Sequence, residues 1–491
     1  MNAERRHRTR HRLLALLAGL VLPALGEAAS LIIVDPAAEG FTDGTAAAPA
    51  AGNPGKTLGE QRLYVFRKAA EQWGHLIDSP VPIRIDARMS SLPCGRLSAV
   101  LGAAGPNSSY MNFPNAPRKD TWFVEAEANA LSGTDQDPKT DDIQARFNIN
   151  LDRGDCLMDT AGWWYGVDPS VPVPKDRVPL LPVVFHELAH GLGFLSLTDA
   201  VTGQFCCGTD AHPDIWAHFL YDTRSSKSWS AMDDDERRAS AVDDPHLVWA
   251  GTATNRVQRA YLKSAASVRI AGPGTVAGDY PARAASFAPP PPRSGITREV
   301  VLADDGVAGK GRPAGTVHDG CEPLVNGAEV TGKIALIERG FCAFTVKAKN
   351  AQLAGAVGVL IANRGEDGEP AMGGKDESIA IPTYGISREL DRTLRVNARG
   401  LQVTLGSITA ATESGCVRLY APRSFEQGSS VSHFSTDANP PLLMMPNLND
   451  RIFDKVDLTI QLFKDIGWHT HADDLLSYGD FEDNPCALAH S

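Results

Sequence analysis

The sequence predicts an α+β lobe interrupted by a smaller α/β module. Three observations carry this. A helix-period stripe, two alternating strands and an apolar helix bearing two histidines succeed one another in the first half of the chain. After the proline run Pro289–Pro292 the pattern changes to short Val/Ile/Ala/Gly-rich strands and helices. From about residue 409 the chain returns to a histidine-bearing loop, a Met-Pro turn and one more amphipathic helix. The organisation expected is an export segment over 1–29, an enzyme-like part over 30–290, an inserted module over 295–408, the rest of the first lobe over 409–470, and a tail over 471–491.

Taken in order, Arg5, Arg6, Arg8, Arg10 and Arg12 precede the short apolar run Leu13–Leu22, and small residues at Gly26, Ala28 and Ala29 offer cleavage sites. This reads as a signal peptide, with an uncleaved anchor as the alternative, and predicts a secreted, extracellular or periplasmic protein. No other stretch is long and apolar enough to cross a bilayer. Leu31–Val34 reads as a strand, and residues 35–57, rich in Ala, Gly and Pro, as irregular chain. Leu63, Phe66, Ala70, Trp73 and Ile77 recur at three- and four-residue spacing, which predicts a helix with one apolar stripe. Val81–Ala87 alternates as a strand does, and so do Ile143, Ala145, Phe147, Ile149 and Leu151. Residues 200–265 read as helices and loops. In the module, Gly332–Ile337 and Val357–Ala362 read as strands and Phe344–Gly355 as a helix, and the last helix runs over Lys455–Ile466.

Composition narrows the function. The chain has 491 residues, 43% hydrophobic and 22% charged, with a formal net charge of −12, which opposes a nucleic-acid partner needing a basic face. Eight cysteines (Cys94, Cys156, Cys206, Cys207, Cys321, Cys342, Cys416, Cys486) and no C-x-x-C pair point to disulfides in an oxidising compartment. The adjacent Cys206 and Cys207 are expected to reach two different partners. No G-x-S-x-G elbow is present, so nucleophilic serine chemistry has no support.

The chemistry concentrates in His186-Glu187-Leu188-Ala189-His190, followed by Gly193-Phe194. On a helix, positions i and i+4 share a face, so both imidazoles can address one zinc ion. Glu187 can then hold and deprotonate a water activated by the metal. Pro182 suits a first turn, while Gly191 and Gly193 offer a stop.

This motif resembles the metzincin zinc endopeptidases, and within them the leishmanolysin type. The compact form of the motif places a third histidine six residues after the second, where this chain has Ser196. Leishmanolysin-like chains instead supply it after an insertion, in a Ser-His-aromatic triplet followed eleven residues on by the methionine of a Leu-Met-x-Pro turn. Ser432-His433-Phe434 and Leu443-Met444-Met445-Pro446 keep that spacing. The resemblance implies His433 as third zinc ligand and Met444 as the methionine beneath the metal. His212 and His218 are rival ligands, as are the carboxylates Asp199 and Asp214. Arg339-Gly340-Phe341-Cys342-Ala343-Phe344, Lys347 and the following Ala/Gly-rich helix resemble a protease-associated domain, which implies a Cys321–Cys342 disulfide.

Together the resemblances imply a zinc-dependent endopeptidase with one catalytic Zn2+, Glu187 as general base and protein or peptide substrates. One edge strand before the active helix, 143–150, is expected to pair with an extended peptide substrate. No cysteine lies between the export segment and the first helix, so a cysteine latch on the metal is not expected. No D-x-D-x-D-G loop is present, so any calcium site would have to be irregular. The alternative is an exported binding or adhesion protein on an inactive peptidase scaffold, with the module as its contact surface. An intact Glu187 argues against that alternative.

Overall fold

The computed structural model describes residues 28–471 except 36, 96–97, 155, 158–159, 208–210, 272–275, 293, 309–314, 365–367, 371, 397–399, 413 and 448–456. Residues 1–27, where the sequence predicts an export segment, Cys486 and nearly all of 471–491 lie outside the described residues. Among those described, no helix is long and apolar enough to cross a membrane.

The first lobe is built on a four-stranded sheet. Its strands are β1 (Leu31–Ile33), β2 (Ile83–Ser90), β3 (Gly102–Pro106) and β4 (Ile143–Asn148), in the spatial order β1-β2-β4-β3. β1, β2 and β4 are parallel, while β3 runs antiparallel along β4, with Ala104 opposite Ala145. The strand expected at the substrate-facing edge, 143–150, is therefore internal, and β3 occupies the edge. Strict alternation signals a buried face, and β4 has one, but position within a sheet depends on pairing partners that alternation does not encode. Residues 149–151, expected to extend the strand, form a 3-10 turn capped by Asn148.

Helix α1 (Leu58–Gly74) covers the sheet, opened by a capping box between Thr57 and Glu60. Its stripe is buried: Phe66 meets Phe147 edge-on at 4.7 Å, and Trp73 stacks on Phe185 at 4.6 Å. Trp73 also donates its indole N–H to the Phe185 carbonyl at 2.9 Å. α1 is thereby fixed against α3 (Leu180–Gly191), the helix of the two histidines, with α2 (Glu125–Ser132) between them in sequence.

Residues 200–265 depart from the helix-and-loop expectation. Helices Ile215–Phe219, Asp234–Ser240 and Thr252–Tyr261 alternate with strands Lys227–Ser228, Leu220–Asp222 and Leu247–Trp249. These strands form an antiparallel sheet with Val417–Arg418, which lies beyond the module. The strands are two or three residues long, too short for periodicity to register. Their core is aromatic: Trp216, Trp229 and Trp249 are fully buried. The C-terminal helix Leu458–Ile466 closes this half, with Asp465 accepting from the Trp249 indole at 3.0 Å and Trp468 donating to the Leu192 carbonyl at 2.9 Å.

The inserted module carries an eight-stranded mixed sheet. Ile296–Leu302, Ile334–Glu338, Gly358–Ala362 and Thr383–Ile386 run parallel, flanked by helices Phe344–Leu353 and Arg388–Val396. Its sheet reaches back across the proline run: Ala265–Ala271 pairs with Gln402–Ile408 over seven residues, and Arg283–Ala284 pairs with Thr383–Ile386. The boundary read at residue 295 thus falls inside the module's sheet, because prolines mark where the chain bends and not which strands it joins.

Three disulfides join pairs of described residues. Cys321–Cys342 is the pair implied by the module's resemblance, and Cys94–Cys156 spans 62 residues beside β3. Cys206 and Cys207 are bonded to each other, contrary to the expectation of separate partners. Cys207 sits in the left-handed backbone region, φ 75°. Cys416 is disulfide-bonded too, and no free thiol remains among the described residues.

Candidate metal centre

Helix α3 needs no polar cap to form. It opens on Pro179, carries Pro182 in its first turn where a missing N–H costs nothing, and buries Val183, Val184, Leu188 and Ala189 against the sheet. One face remains for chemistry, and it presents His186 and His190 to a cleft of about 790 Å3. Leu192 ends the helix and Gly193, at φ 111°, turns the chain away. Gly191 is required for packing, since a β-carbon there would stand 2.4 Å from Ile143 Cγ2.

His433 arrives from the other side of the inserted module. Its strap is anchored at both flanks: Tyr420 donates its amide to the His433 carbonyl at 2.9 Å, and Phe434 donates to the Met444 carbonyl at 2.8 Å. Phe434 is fully buried against Phe194 at 5.1 Å. The position that a compact motif gives to a third histidine is also part of the clasp. Ser196 donates its backbone N–H to Ser432 Oγ at 3.1 Å, docking the strap directly beside His433.

The three imidazoles converge, with ligand atoms all within 4.8 Å of one another. His186 Nε2 and His433 Nε2 stand 3.1 Å apart. Two imidazoles on one tetrahedral zinc at its usual bond length would place their nitrogens about 3.3 Å apart. Each ring commits its other nitrogen to a carbonyl: His186 Nδ1 to Leu443 at 2.8 Å, His190 Nδ1 to Phe194 at 2.7 Å, and His433 Nδ1 to Ser429 at 2.8 Å. A carbonyl can only accept, so every Nδ1 carries the proton and every Nε2 presents a lone pair. Burial keeps the rings neutral, lowering His186 to about 4 and His190, which also faces His186, to about 3; His433 is pushed down likewise. This donor set fits a zinc ion with an open coordination position.

Glu187 faces the same cleft. Burial raises its carboxyl to about 8, while a backbone hydrogen bond from Ala104 on β3 opposes the rise. The room it occupies is made by Gly102, where a β-carbon would lie 2.9 Å from Glu187 Cγ.

None of the rival ligands joins the three imidazoles among the described residues. His218 contacts Thr121 Oγ1 at 3.1 Å and Arg118 Nη1 at 3.3 Å. His212 belongs to no cluster of potential ligands among the described residues. Asp214 is buried, caps the Ile215–Phe219 helix, and accepts from Leu197 N at 2.7 Å and Thr198 N at 2.9 Å, so it braces the turn after α3. Asp199 lines the cleft but spends an oxygen on Val201 N at 2.9 Å. Met444 is fully buried, whereas its neighbour Met445 lines the cleft. Sequence reasoning did not single out Asp457, whose carboxylate takes the Leu443 N–H and thereby fixes the carbonyl held by His186; its place just before the last helix is the one signal for it. Nor did it find Gly102–Ala104, a short Gly/Ala stretch with no periodic signature.

Comparison with known proteins identifies the module. Residues 296–393 match the PA domain family. Two relatives, ER degradation-enhancing alpha-mannosidase-like protein 3 of Xenopus laevis and of Homo sapiens, are 45% and 50% identical over 49 and 48 residues, each 10% of this chain and 5% of theirs. Signal peptide peptidase-like 2 of Arabidopsis thaliana is 31% identical over 109 residues, 22% of this chain and 18% of its own. The chain thus spans only a small part of the relatives it matches. Among solved structures, BSAP, a zinc aminopeptidase from Bacillus subtilis, is 25% identical with a TM-score of 0.21, covering 32% of this chain and 35% of that one. The aminopeptidase from Aneurinibacillus sp. strain AM-1 is 17% identical with a TM-score of 0.19, covering 40% and 42%. At such low overlap, neither likeness bears on the histidine cluster.

Proposed function

We propose that this protein is a zinc-dependent endopeptidase whose metal is held by His186, His190 and His433, with Glu187 as general base. The observation that carries the reading is the arrangement of the three rings, each Nδ1 tied to a carbonyl and each Nε2 free and convergent beside a cleft-facing glutamate. A zinc ion there supplies a Lewis acid that acidifies water and polarises a substrate carbonyl.

The chain's own residues do the rest. Glu187 takes the proton of the attacking water and passes it to the leaving amine, and the burial that raises its carboxyl makes the carboxylate form a stronger base. Among the described residues β3 pairs with β4 along one side only, and residues 99–104 line the cleft. An extended peptide can add to that free edge as a further strand, which places an internal bond, and not only a terminus, over Glu187. Met444 then serves as the apolar floor under the imidazoles.

The leishmanolysin-like arrangement remains the closest reading of the ligand set, with the third histidine delivered across an inserted PA domain. The test is cleavage of a peptide blocked at both ends beside the same peptide with a free N-terminus, by zinc-loaded protein. Cleavage of both at internal bonds supports an endopeptidase, and release of N-terminal residues from the free peptide alone would make the protein an aminopeptidase.

A further inference from the structure

Away from the imidazoles, helix α2 begins with a carboxylate that has no visible reason to be where it is. Glu125 is 1% exposed, and neither of its carboxylate oxygens has a hydrogen-bond partner. An ionised carboxylate buried without a partner is costly. Its surroundings make the cost larger. One turn along the same face, Asn129 donates to Asp142 Oδ1 at 2.6 Å and accepts from Gln136 N at 2.8 Å, folding the 134–142 loop against α2. That loop turns Asp135 and Asp137 partly inward, and each spends one oxygen on a backbone N–H, of Asp137 and Lys139 respectively, at 3.1 Å. Asp142 is 4% exposed, and its second oxygen accepts from Arg84 N at 2.7 Å.

The charges of Asp142, Asp135 and Asp137 add to burial in raising Glu125 to about 7, and Tyr110 is raised by burial and by the same group, Glu125, Asp137 and Asp135. The nearby Arg84 is paired with Asp141 at 3.0 Å, and among the described residues no ion pair reaches Glu125, Asp135, Asp137 or Asp142. The PA domain handles a similar gathering differently. There Asp305, Asp319 and Glu322 converge, but the fully buried Lys347 supplies the cation and donates to the Asp319 carbonyl.

We propose that Glu125, Asp135, Asp137 and Asp142 form a calcium site at the end of the edge strand. The donors are all hard oxygens on a helix start and a loop, which suits Ca2+ over Mg2+ and offers zinc no nitrogen or sulfur. Only the imidazoles and the Asp305 cluster bring three ligand atoms within 4.8 Å among the described residues, so the ion draws the 134–142 loop inward as it binds. The site grips the exit of β3. Asn107 donates its amide to the Asp142 carbonyl at 2.9 Å, and Glu125 donates its own to the Ser108 carbonyl at 3.0 Å. Calcium thereby sets the edge that borders the cleft, without touching Glu187 or the imidazoles.

The test uses zinc-loaded full-length protein at fixed zinc concentration, titrated with Ca2+ and with Mg2+, with Tm and Tb3+ luminescence as readouts. Saturable binding at or below about 10⁻³ M Ca2+ should raise Tm by about 5 °C at large excess. Mg2+ should act at least about tenfold more weakly, and Tb3+ emission sensitised through Tyr110 should be displaced by Ca2+. The Glu125→Gln/Asp137→Asn variant should lose all of this. Glu125→Gln alone, isosteric with a neutral acid, should fold and bind Ca2+ at least about tenfold more weakly. No saturable shift in wild type, or an equal shift in Glu125→Gln, would overturn the proposal.

Discussion

Glu187 keeps its place because the residue opposite it has no side chain. A β-carbon on Gly102 would press on Glu187 Cγ and on Phe147 Cδ1, each at 2.9 Å. Displacing a general base by about 1 Å can cost about 10²-fold in rate. Gly102→Ala is therefore expected to lower kcat at least about tenfold with zinc content unchanged, and metal analysis beside kinetics separates the two effects. His433→Ala makes the complementary change, removing a lone pair and leaving Glu187 in position. Its zinc affinity, measured by competition with a chromogenic chelator, should fall by at least about 10²-fold; undiminished affinity would remove His433 from the ligand set. At this scale the convergence of His186, His190 and His433 was legible, because H-E-x-x-H and the Ser-His-Phe triplet mark those residues by fixed spacing. Asp214 was not legible as a brace. A carboxylate is read as ligand or cap only by what faces it, and Leu197 and Thr198 N–H groups face this one.

The turn after α3 and the strap carrying His433 form one structural unit. Asp214 gathers Ser196, Leu197 and Thr198, and Ser196 in turn holds Ser432. Replacing Asp214 with Ala leaves several buried donors without an acceptor, which should destabilise the fold by about 3 kcal/mol and loosen zinc binding through His433. Denaturant melts of zinc-loaded Asp214→Ala and Asp214→Asn check this, with Asn restoring part of the loss. The helices α1 and α3 could be read in advance because their apolar stripes repeat over several turns. The edge position of β3 could not. Five residues of Gly, Ala and Pro carry no alternation, and an edge is defined by which neighbour is absent.

Across the whole molecule, the imidazole cluster couples acid stability to the metal. His186 and His190 titrate in the fold at about 4 and about 3, against 6.5 when free, so between those values the unfolded chain takes up protons that the folded chain refuses. Stability of the metal-free protein should consequently fall as pH drops from about 6.5 toward 4. Calorimetry in buffers of different ionisation heat should show proton uptake on unfolding in that window, reduced by about one proton in His190→Gln. At this scale the α+β lobe with an inserted α/β module was foreseeable from the change of pattern after the prolines. Its true reach was not, since Ala265–Ala271 joins the module's sheet through a partner more than a hundred residues away.

The central claim is that Glu187 acts on a zinc site built from His186, His190 and His433. Its most direct test is protein-substrate cleavage by zinc-loaded wild type beside Glu187→Gln, with bound zinc measured in both. We expect equal zinc content and a loss of at least about 10³-fold in turnover in the variant. Cleavage by Glu187→Gln at a rate comparable to wild type would contradict the assignment.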